Sequence, residues 1–529
     1  MEGRDDRLTH RDAPAPGAAR VTTAAQAAAI DARAIAAGTP SWSLMQAAGH
    51  AAASLIADRY AGELGAGVLV VAGAGNNGGD GYVVASRLAS LGVQVSVLAT
   101  GHPNTADAVR AREALPGQVS VHSWAGRQAG RFEAALIVDA VLGTGASGAP
   151  HGAAAEAIET MTIAARAGVP VVALDVPSGL DATTGATPGA CVPAATTITF
   201  GTVKRGLLRN RGAAGEIAVV DIGLGAAADD PEAPVLVDGA AALAAVPAIA
   251  ADAHKGSRRR LLVVGGADGM TGAPILAARA ALRSGAGMVR LCVAPPSVAP
   301  AQAAVPAALA APWPEDDAAL AALLAWADGV LLGPGLGLSQ ASRSLAMRVL
   351  DAWRGPIVAD ADALSLFEGE ADALGRHLAA RPAVVTPHVR EAQRLAGVPA
   401  ADLDAGRFEA AAFIASRVQA TVLLKGVPTV VSNGRATVVV ASGTPALATG
   451  GSGDVLGGIV ATLLAQTGDP QSSAATGAWV HGCAAEIAGG GRARGIVLDD
   501  IVDALRHAWT PPRRPSPPVL AELARVGES

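Results

Sequence analysis

Two series of apolar, β-branched runs, each run followed by an Ala-rich stretch of helical length, lie end to end along this chain with a patternless stretch between them. The first series carries GVLVVAG, VQVSVLAT, AALIVDAVLG, VPVVALDVPSG, TITFG and EIAVVDIGL between Val21 and about Gly225. The second restarts with RRRLLVVGGADG and continues through GMVRLCVA, DGVLLGPGLG, GPIVADADAL, AVVTPH and TVLLKG to about Trp509. Runs that are apolar throughout suit strands buried on both faces, and strand-helix alternation winds such strands into a parallel sheet. The fold class is therefore α/β, built twice. Within PTVVSNGRATVVV the Asn433-Gly434 pair suits the tight turn of a hairpin.

The boundaries follow from these patterns. Residues 1–20 read as a disordered leader, 21–225 as one domain, 226–251 as a connector, 252–510 as a second domain and 511–529 as a flexible tail. At 529 residues two cores are expected. Hydrophobic residues make up 51% but aromatics only 3%, so the apolar content is the small-residue kind that helices use against parallel sheets. A formal charge of -6 without a basic stripe argues against nucleic acid as a partner. The leader is charged and Pro-rich, unlike a signal peptide, and the Ala-rich stretch 239–251 is too short to span a bilayer. Cys191, Cys292 and Cys483 are few, odd in number and far apart, which fits a reducing cytoplasm and excludes a disulfide framework. The expected partners are small molecules, with no membrane.

Of 40 Lys plus Arg, only Lys204, Lys255 and Lys425 are Lys. A chain that uses Arg almost everywhere keeps Lys where a compact ammonium on a slim stem has no planar substitute. All three lie in motif-like segments.

In the first domain, GAGNNGGDGY follows a strand and opens a helix, so Gly73, Gly75 and Gly78 match the dinucleotide fingerprint in its proper context. The next strand lacks the acidic residue that would hold a ribose, while Asn76, Asn77 and Asp80 add polar groups that such a loop does not need. Helix-opening amides can take a phosphate, and amide oxygens with a carboxylate can take a hard cation or sugar hydroxyls. Two further strand ends are polar: VDAVLGTGASGA places Asp139 at one, and LDVPSGLD places Asp175 and Ser178 at the other.

GNNGGDGY, VDAVLGTG and DVPSGLD, in this order, resemble the YjeF N-terminal family of NAD(P)H-hydrate epimerases, over roughly residues 21–225. The resemblance implies a Rossmann-like three-layer domain with potassium held by Asn77, Asp139 and Ser178. It also implies substrate contacts from Asn76, Asn77, Gly78, Gly79 and Asp80, from Gly143, Thr144, Gly145, Ala146, Ser147, Gly148 and Ala149, and from Asp175. A carboxylate beside a cation can act as a base, which makes Asp175 the candidate for proton transfer between the R and S hydrates at C6.

In the second domain, ALATGGSGDVLGGIVATLLAQ is a glycine-rich turn opening an apolar helix, so several backbone N–H groups converge on one place. Asp454 sits at the mouth of that helix, where the macrodipole should keep it ionised at neutral pH and able to accept a hydroxyl proton. The turn resembles that of ribokinase-like kinases. AHKGSRRRLLVVGGADGMTGAPILAARAALRSGAG, LLGPGLG, ADADAL, TPHVREAQRL and LLKGVPTVV narrow the resemblance to NAD(P)H-hydrate dehydratases of ribokinase-like α/β fold. It implies substrate contacts at Ala273, Gly337, His388 and Asp454, and ADP contacts at Lys425, Gly426, Val427, Pro428, Thr429 and Gly453. Asp454 is then the catalytic base, Lys425 neutralises nucleotide phosphate and Mg bridges the phosphates. The chain would repair hydrated NAD(P)H by epimerisation and ADP-dependent dehydration, in the cytoplasm and as a homo-oligomer. Two rivals stay open: a ribokinase-type kinase for a vitamin precursor, which would use the same turn and base, and a non-catalytic scaffold on the N-terminal fold.

Overall fold

The computed structural model describes residues 18–124, 134–510 and 515–526. The described residues form two compact units, one of residues 18–236 with 515–525 and one of residues 237–510.

In the first unit the sheet order is Val519–Leu523, Glu216–Val220, Thr196–Phe200, Val171–Leu174, Leu136–Ala140, Val68–Ala72, Val95–Ala99 and Ser120–Ser123. All neighbours are parallel except the first pair. The central strands Val68–Ala72, Leu136–Ala140 and Val171–Leu174 are buried at every position, as their apolar runs require. One core lies under the helices Ser41–Arg59 and Asn76–Ser90, and a second, around Ile158 and Met161, under the helix Gly152–Arg166. This is the expected three-layer arrangement. The chain enters through a short parallel pair, Val21–Thr22 with Val203–Lys204, and then the helix Ala24–Ala36. Thr23 caps that helix by accepting from Gln26 N at 3.1 Å while Gln26 Oε1 accepts from Thr23 N at 2.9 Å.

In the second unit the order is Thr437–Val440, Thr429–Ser432, Thr421–Leu424, Ala383–Val385, Ile357–Ala359, Gly329–Leu332, Arg260–Val264, Met288–Val293 and Leu309–Pro312. The first three pair antiparallel and the rest parallel. The hairpin turn at Asn433 is present, its Oδ1 accepting from Arg435 N and Ala436 N at 2.9 and 2.8 Å. The helices Gly272–Arg283, Ser452–Thr467 and Pro470–Gly489 share one continuous core with the sheet.

Three readings of chain organisation are corrected. Residues 1–17 of the leader lie outside the described residues, but Arg20 O accepts from Val203 N at 2.9 Å, so the leader's last residue belongs to the first unit. The connector 226–251 contains a helix, Gly239–Ala244, capped by Asp238 at 2.6 Å from Ala241 N and buried at Ala242. Four Ala in six residues hid its one buried face. The tail is not uniformly flexible: Val519–Leu523 adds an antiparallel edge strand to Glu216–Val220. Its pairing partner is some 300 positions away, beyond the reach of a local pattern.

Candidate active sites

In the first unit, the parallel strands Val68–Ala72, Leu136–Ala140, Val171–Leu174 and Thr196–Phe200 bring the site residues to one rim of the sheet, where ligands of open α/β sheets collect. The helix Asn76–Ser90 starts there directly after Gly75. A Cβ on Gly78 would lie 2.0 Å from Gly73 O, so the turn closes this tightly only with glycine. Asn76 points to solvent, whereas Asn77 is buried and donates from Nδ2 to Leu142 O at 3.0 Å. Its Oδ1 is buried without a hydrogen-bond partner. Asp139 is fully buried: Oδ2 accepts from Ser178 N at 2.8 Å, and Oδ1 accepts from Ser178 Oγ at 2.6 Å and Val141 N at 3.2 Å. Burial pushes its carboxyl up to about 6 against these hydrogen bonds. Ser178 Oγ also accepts from Leu142 N at 2.8 Å, so the three expected cation ligands converge around Leu142.

Asp175 occupies left-handed backbone space at φ 64, unusual for a residue with a side chain, and this turns its carboxylate onto the rim. Thr144 Oγ1 donates to Oδ2 at 2.9 Å, and Lys204 Nζ donates to Oδ1 at 2.5 Å. Lys204 is 3% exposed and also donates to Thr199 Oγ1 at 3.1 Å and Phe200 O at 3.0 Å. Burial alone would raise Asp175, but the charge of Lys204 and these hydrogen bonds outweigh it and hold the carboxyl below its ordinary range. Asp80 moves the opposite way. Burial, with the charges of Asp175 and Asp31 added, lifts it well above the ordinary value. Asp31, on the helix Ala24–Ala36, is raised by burial in part opposed by Lys204. Within the expected 143–149 loop, Thr144 reaches Asp175, while Gly145, Ser147, Gly148 and Ala149 lie exposed on its outer arc. Lys204 was singled out in the sequence only by the scarcity of Lys. Asp31 carries no sequence signal.

The second unit gathers its site around the N-terminus of Ser452–Thr467, entered through Gly451 at φ 91. Asp454 lies in the first turn and Lys425 faces it from the end of Thr421–Leu424. Lys425 Nζ donates to Asp360 Oδ1 at 2.9 Å and lies 3.7 Å from Glu391 Oε2. Burial would lower the ammonium, but Asp360 and Glu391 raise it, so it stays charged. The expectation that the macrodipole keeps Asp454 ionised is corrected: burial and the charge of Asp360, only partly offset by Lys425, push its carboxyl up to about 7.

His388 caps the helix Val389–Ala396, its Nδ1 accepting from Arg390 N at 3.0 Å and Glu391 N at 3.2 Å. Burial lowers its pKa, against the opposing pull of Glu391. Two N–H donors on Nδ1 place the proton of the neutral ring on Nε2. Gly337 N donates to Asp362 Oδ2 at 2.8 Å, and the nearby Gly335 brings Ala273 alongside, its own Cβ position lying 3.2 Å from that of Ala273. A Cβ on Gly453 would come 3.2 Å from Lys425 Nζ, which joins the glycine turn to the lysine. In the 425–429 turn, Thr429 Oγ1 donates to Gly426 O at 3.2 Å and Val427 is 63% exposed. Asp360, Asp362, Glu391 and the buried His481 were not foreseen. The acids stand in the quoted ADADAL and TPHVRE segments; His481, pushed down to about 4 by burial and 3.4 Å from Ser452 Oγ, sits mid-helix with no cue.

Among the described residues no helix is long and apolar enough to cross a membrane. Among them also, no group of three His, Cys, Asp or Glu gathers that could hold a metal ion. The donors in the first site are an amide oxygen, a hydroxyl and one carboxylate.

Comparison with known proteins covers both units. The NAD(P)H-hydrate dehydratase family model matches residues 261–507, and that of the YjeF-related protein N-terminus matches residues 41–206. The chain is 38% identical over 506 residues to the bifunctional NAD(P)H-hydrate repair enzyme Nnr of Salinibacter ruber, covering 88% of this chain and 92% of that one. It is 37% identical over 451 residues to the enzyme of the same name from Escherichia coli, with 84% and 85% covered. Among solved structures, the ADP/ATP-dependent NAD(P)H-hydrate dehydratase of Bacillus subtilis, co-crystallised with ATP and Mg2+, is 26% identical, covers 53% of this chain and 99% of its own, and has a TM-score of 0.45. Matches that run through both units favour neither the vitamin-precursor kinase nor the scaffold. On identity that extends over more than four-fifths of its length, the chain belongs to the family of bifunctional NAD(P)H-hydrate repair enzymes.

Proposed function

We propose that the first unit interconverts the R and S hydrates of NAD(P)H at C6 and that the second dehydrates the S hydrate with ADP, releasing AMP and phosphate. The observation that carries the dehydratase half is Asp454, raised to about 7, at a glycine-rich helix N-terminus that faces the charged Lys425.

In the second unit Asp454 takes the proton of the C6 hydroxyl as its oxygen attacks the β-phosphorus of ADP. AMP leaves; loss of phosphate from C6 together with a proton from C5 then restores the C5=C6 double bond of the ring. A pKa near the working pH suits a group that accepts the proton and later returns it. Lys425 and the turn amides face the phosphates, the residues 425–429 and Gly453 hold the nucleotide, and Ala273, Gly337 and His388 hold the hydrate. Mg, bound through the nucleotide phosphates, would neutralise their charge.

In the first unit the two carboxyl groups have opposed pKa values, the arrangement that separates base from acid. Asp175, kept anionic by Lys204, accepts the hydroxyl proton of the hemiaminal while the C6–N1 bond breaks. Asp80, kept neutral, gives a proton to N1. Closure on the other face reverses both transfers. Asn76 to Gly79 and the 143–149 loop line this site.

Asn77, Asp139 and Ser178 would hold potassium, which supplies a fixed positive charge beside the substrate. The support is the orphaned Asn77 Oδ1 beside a fully buried Asp139 that only hydrogen bonds satisfy. Asp139 has a raised folded-state pKa, so its proton is kept below about 6 and its anionic form becomes costly to the fold above that pH. A bound cation should offset this cost. KCl in place of choline chloride is therefore expected to raise the melting temperature of the first unit at pH 8, with little effect at pH 5, and Asp139→Asn should remove the difference. An equal response at both pH values would contradict the assignment.

Supplying purified R and S hydrates with ADP or ATP and following NADPH absorbance tests the function directly. Full recovery from either epimer is expected. Phosphorylation of a vitamin precursor without NADPH recovery would overturn it.

A further inference from the structure

Behind the 425–429 turn lies a buried cation to which neither reaction assigns a role. Arg407 opens the helix Arg407–Val418 and is 2% exposed. Its Nη1 donates to Pro428 O at 2.5 Å, and its Nη2 to Asp404 Oδ1 at 2.6 Å. Asp404 is half exposed, so the pair is anchored at the surface while the guanidinium reaches inward. Gly426, at φ 147, lies on this group: a Cβ there would fall 2.4 Å from Nη2 and 2.5 Å from Nη1. The turn therefore has its inner side fixed by a planar fork and its outer side, with Val427 63% exposed, facing solvent. Placing a guanidinium almost wholly out of water is costly unless its hydrogen bonds are made, and Arg407 makes one of them to the carbonyl of the turn itself.

We propose that Arg407 is a positioning residue for nucleotide: it presets the 426–428 turn in the shape that receives ADP, with Gly426, whose φ of 147 itself calls for glycine, packed against the guanidinium. This rests on the reading that residues 425–429 contact nucleotide. Arg407 does not touch the reacting atoms, so its loss should weaken nucleotide binding and spare chemistry at saturation. A turn that must be ordered on binding loses affinity in proportion to the conformations it then has to give up.

The experiment measures KM for ADP and kcat for dehydration of the S hydrate in the full chain. Arg407→Met is expected to raise KM about tenfold or more with kcat within about twofold, and Arg407→Lys to recover part of the loss. Asp404→Asn, which weakens the surface anchor of the guanidinium without touching the turn, should move KM the same way and decides the matter if Arg407→Met does not fold. Val427→Asp tests the underlying reading separately, since a carboxylate on the exposed tip should repel nucleotide phosphate and raise KM. If Val427→Asp raises KM while Arg407→Met and Asp404→Asn leave it unchanged, the positioning role is overturned and the nucleotide turn stands. If Val427→Asp leaves KM unchanged, both are overturned. A merely structural Arg407 would lower the amount of active enzyme and leave KM where it was.

Discussion

At the scale of single residues, the chemistry of the second unit turns on how many negative charges surround one lysine. Asp360, Glu391 and Asp454 all face Lys425, and one cation cannot hold three anions at full strength. Burial raises Asp454 most, and because Asp360 is closest to Lys425 and makes the direct bond, Asp454 feels the repulsion of Asp360 more strongly than the attraction of Lys425. Its anionic, proton-accepting form is present above about 7 and lost as pH falls. The kcat/KM for dehydration is therefore expected to rise about tenfold per pH unit on the acid side and level off above that value. Asp360→Asn removes the leading repulsion and frees Lys425 toward Asp454. It should shift the limb to lower pH while lowering the plateau. A limb that stays in place, measured by NADPH recovery across pH 5 to 9, would show that another group titrates. None of this charge balance can be read along the chain, because Asp360, Glu391, Lys425 and Asp454 come from four segments and only the fold makes them neighbours.

At the scale of elements, what was legible follows from burial. The central strands of both sheets are buried at every position and almost wholly apolar, Asp139 being the exception, and they announced themselves, as did the glycine turn before Ser452–Thr467. The edge strands of the first unit did not. Ser120–Ser123 is exposed or half-exposed throughout, and Val519–Leu523 buries only Ala521 well, so neither has the long buried apolar run of a central strand. Helix contacts were equally silent, although one of them aims Asp454. Gly458 packs against the helix Gly272–Arg283 so closely that a Cβ would lie 2.2 Å from Ala277 O. The same two helices bring Ala273 and the glycine turn to one site, so their separation sets its geometry. Gly458→Val is expected to push them apart and destabilise the second unit by about 1–3 kcal/mol. Calorimetry should show the drop. Dehydration should fall by more than the folded fraction does, because a displaced Asp454 misses the hydroxyl, whereas epimerisation should be unaffected. Equal losses in both activities would mean that the packing does not act through Asp454.

For the molecule as a whole, two separately cored units and two sets of titrating groups imply two activities that can be removed one at a time. The first unit's cores surround Val70 and Ile137, and the second unit's surrounds Val263 and Leu331. Asp175→Asn keeps the volume of the carboxyl and leaves Lys204 its bonds to Thr199 and Phe200 O, but it takes the anion from a buried ammonium and should destabilise the first unit by about 3 kcal/mol or more, a loss that calorimetry separates from the loss of activity. Its effect should appear in the time course of a mixed R and S sample supplied with ADP. The wild-type chain converts S hydrate in a first phase and the R hydrate in a second, limited by epimerisation. In Asp175→Asn the first phase should keep its amplitude and rate, and the second should slow by about a hundredfold or more, the contribution expected of a positioned general base. Asp454→Asn should show neither phase, while chromatography of the two hydrates still finds them interconverting. The sequence could point to each of these aspartates separately, but the backbone at φ 64 that turns Asp175 toward Lys204, and so makes it the anion of the pair, exists only in the folded unit. If Asp175→Asn slowed both phases equally, S conversion would depend on the first site, and the two activities would not be separable in the way that two units with separate cores and charge clusters require.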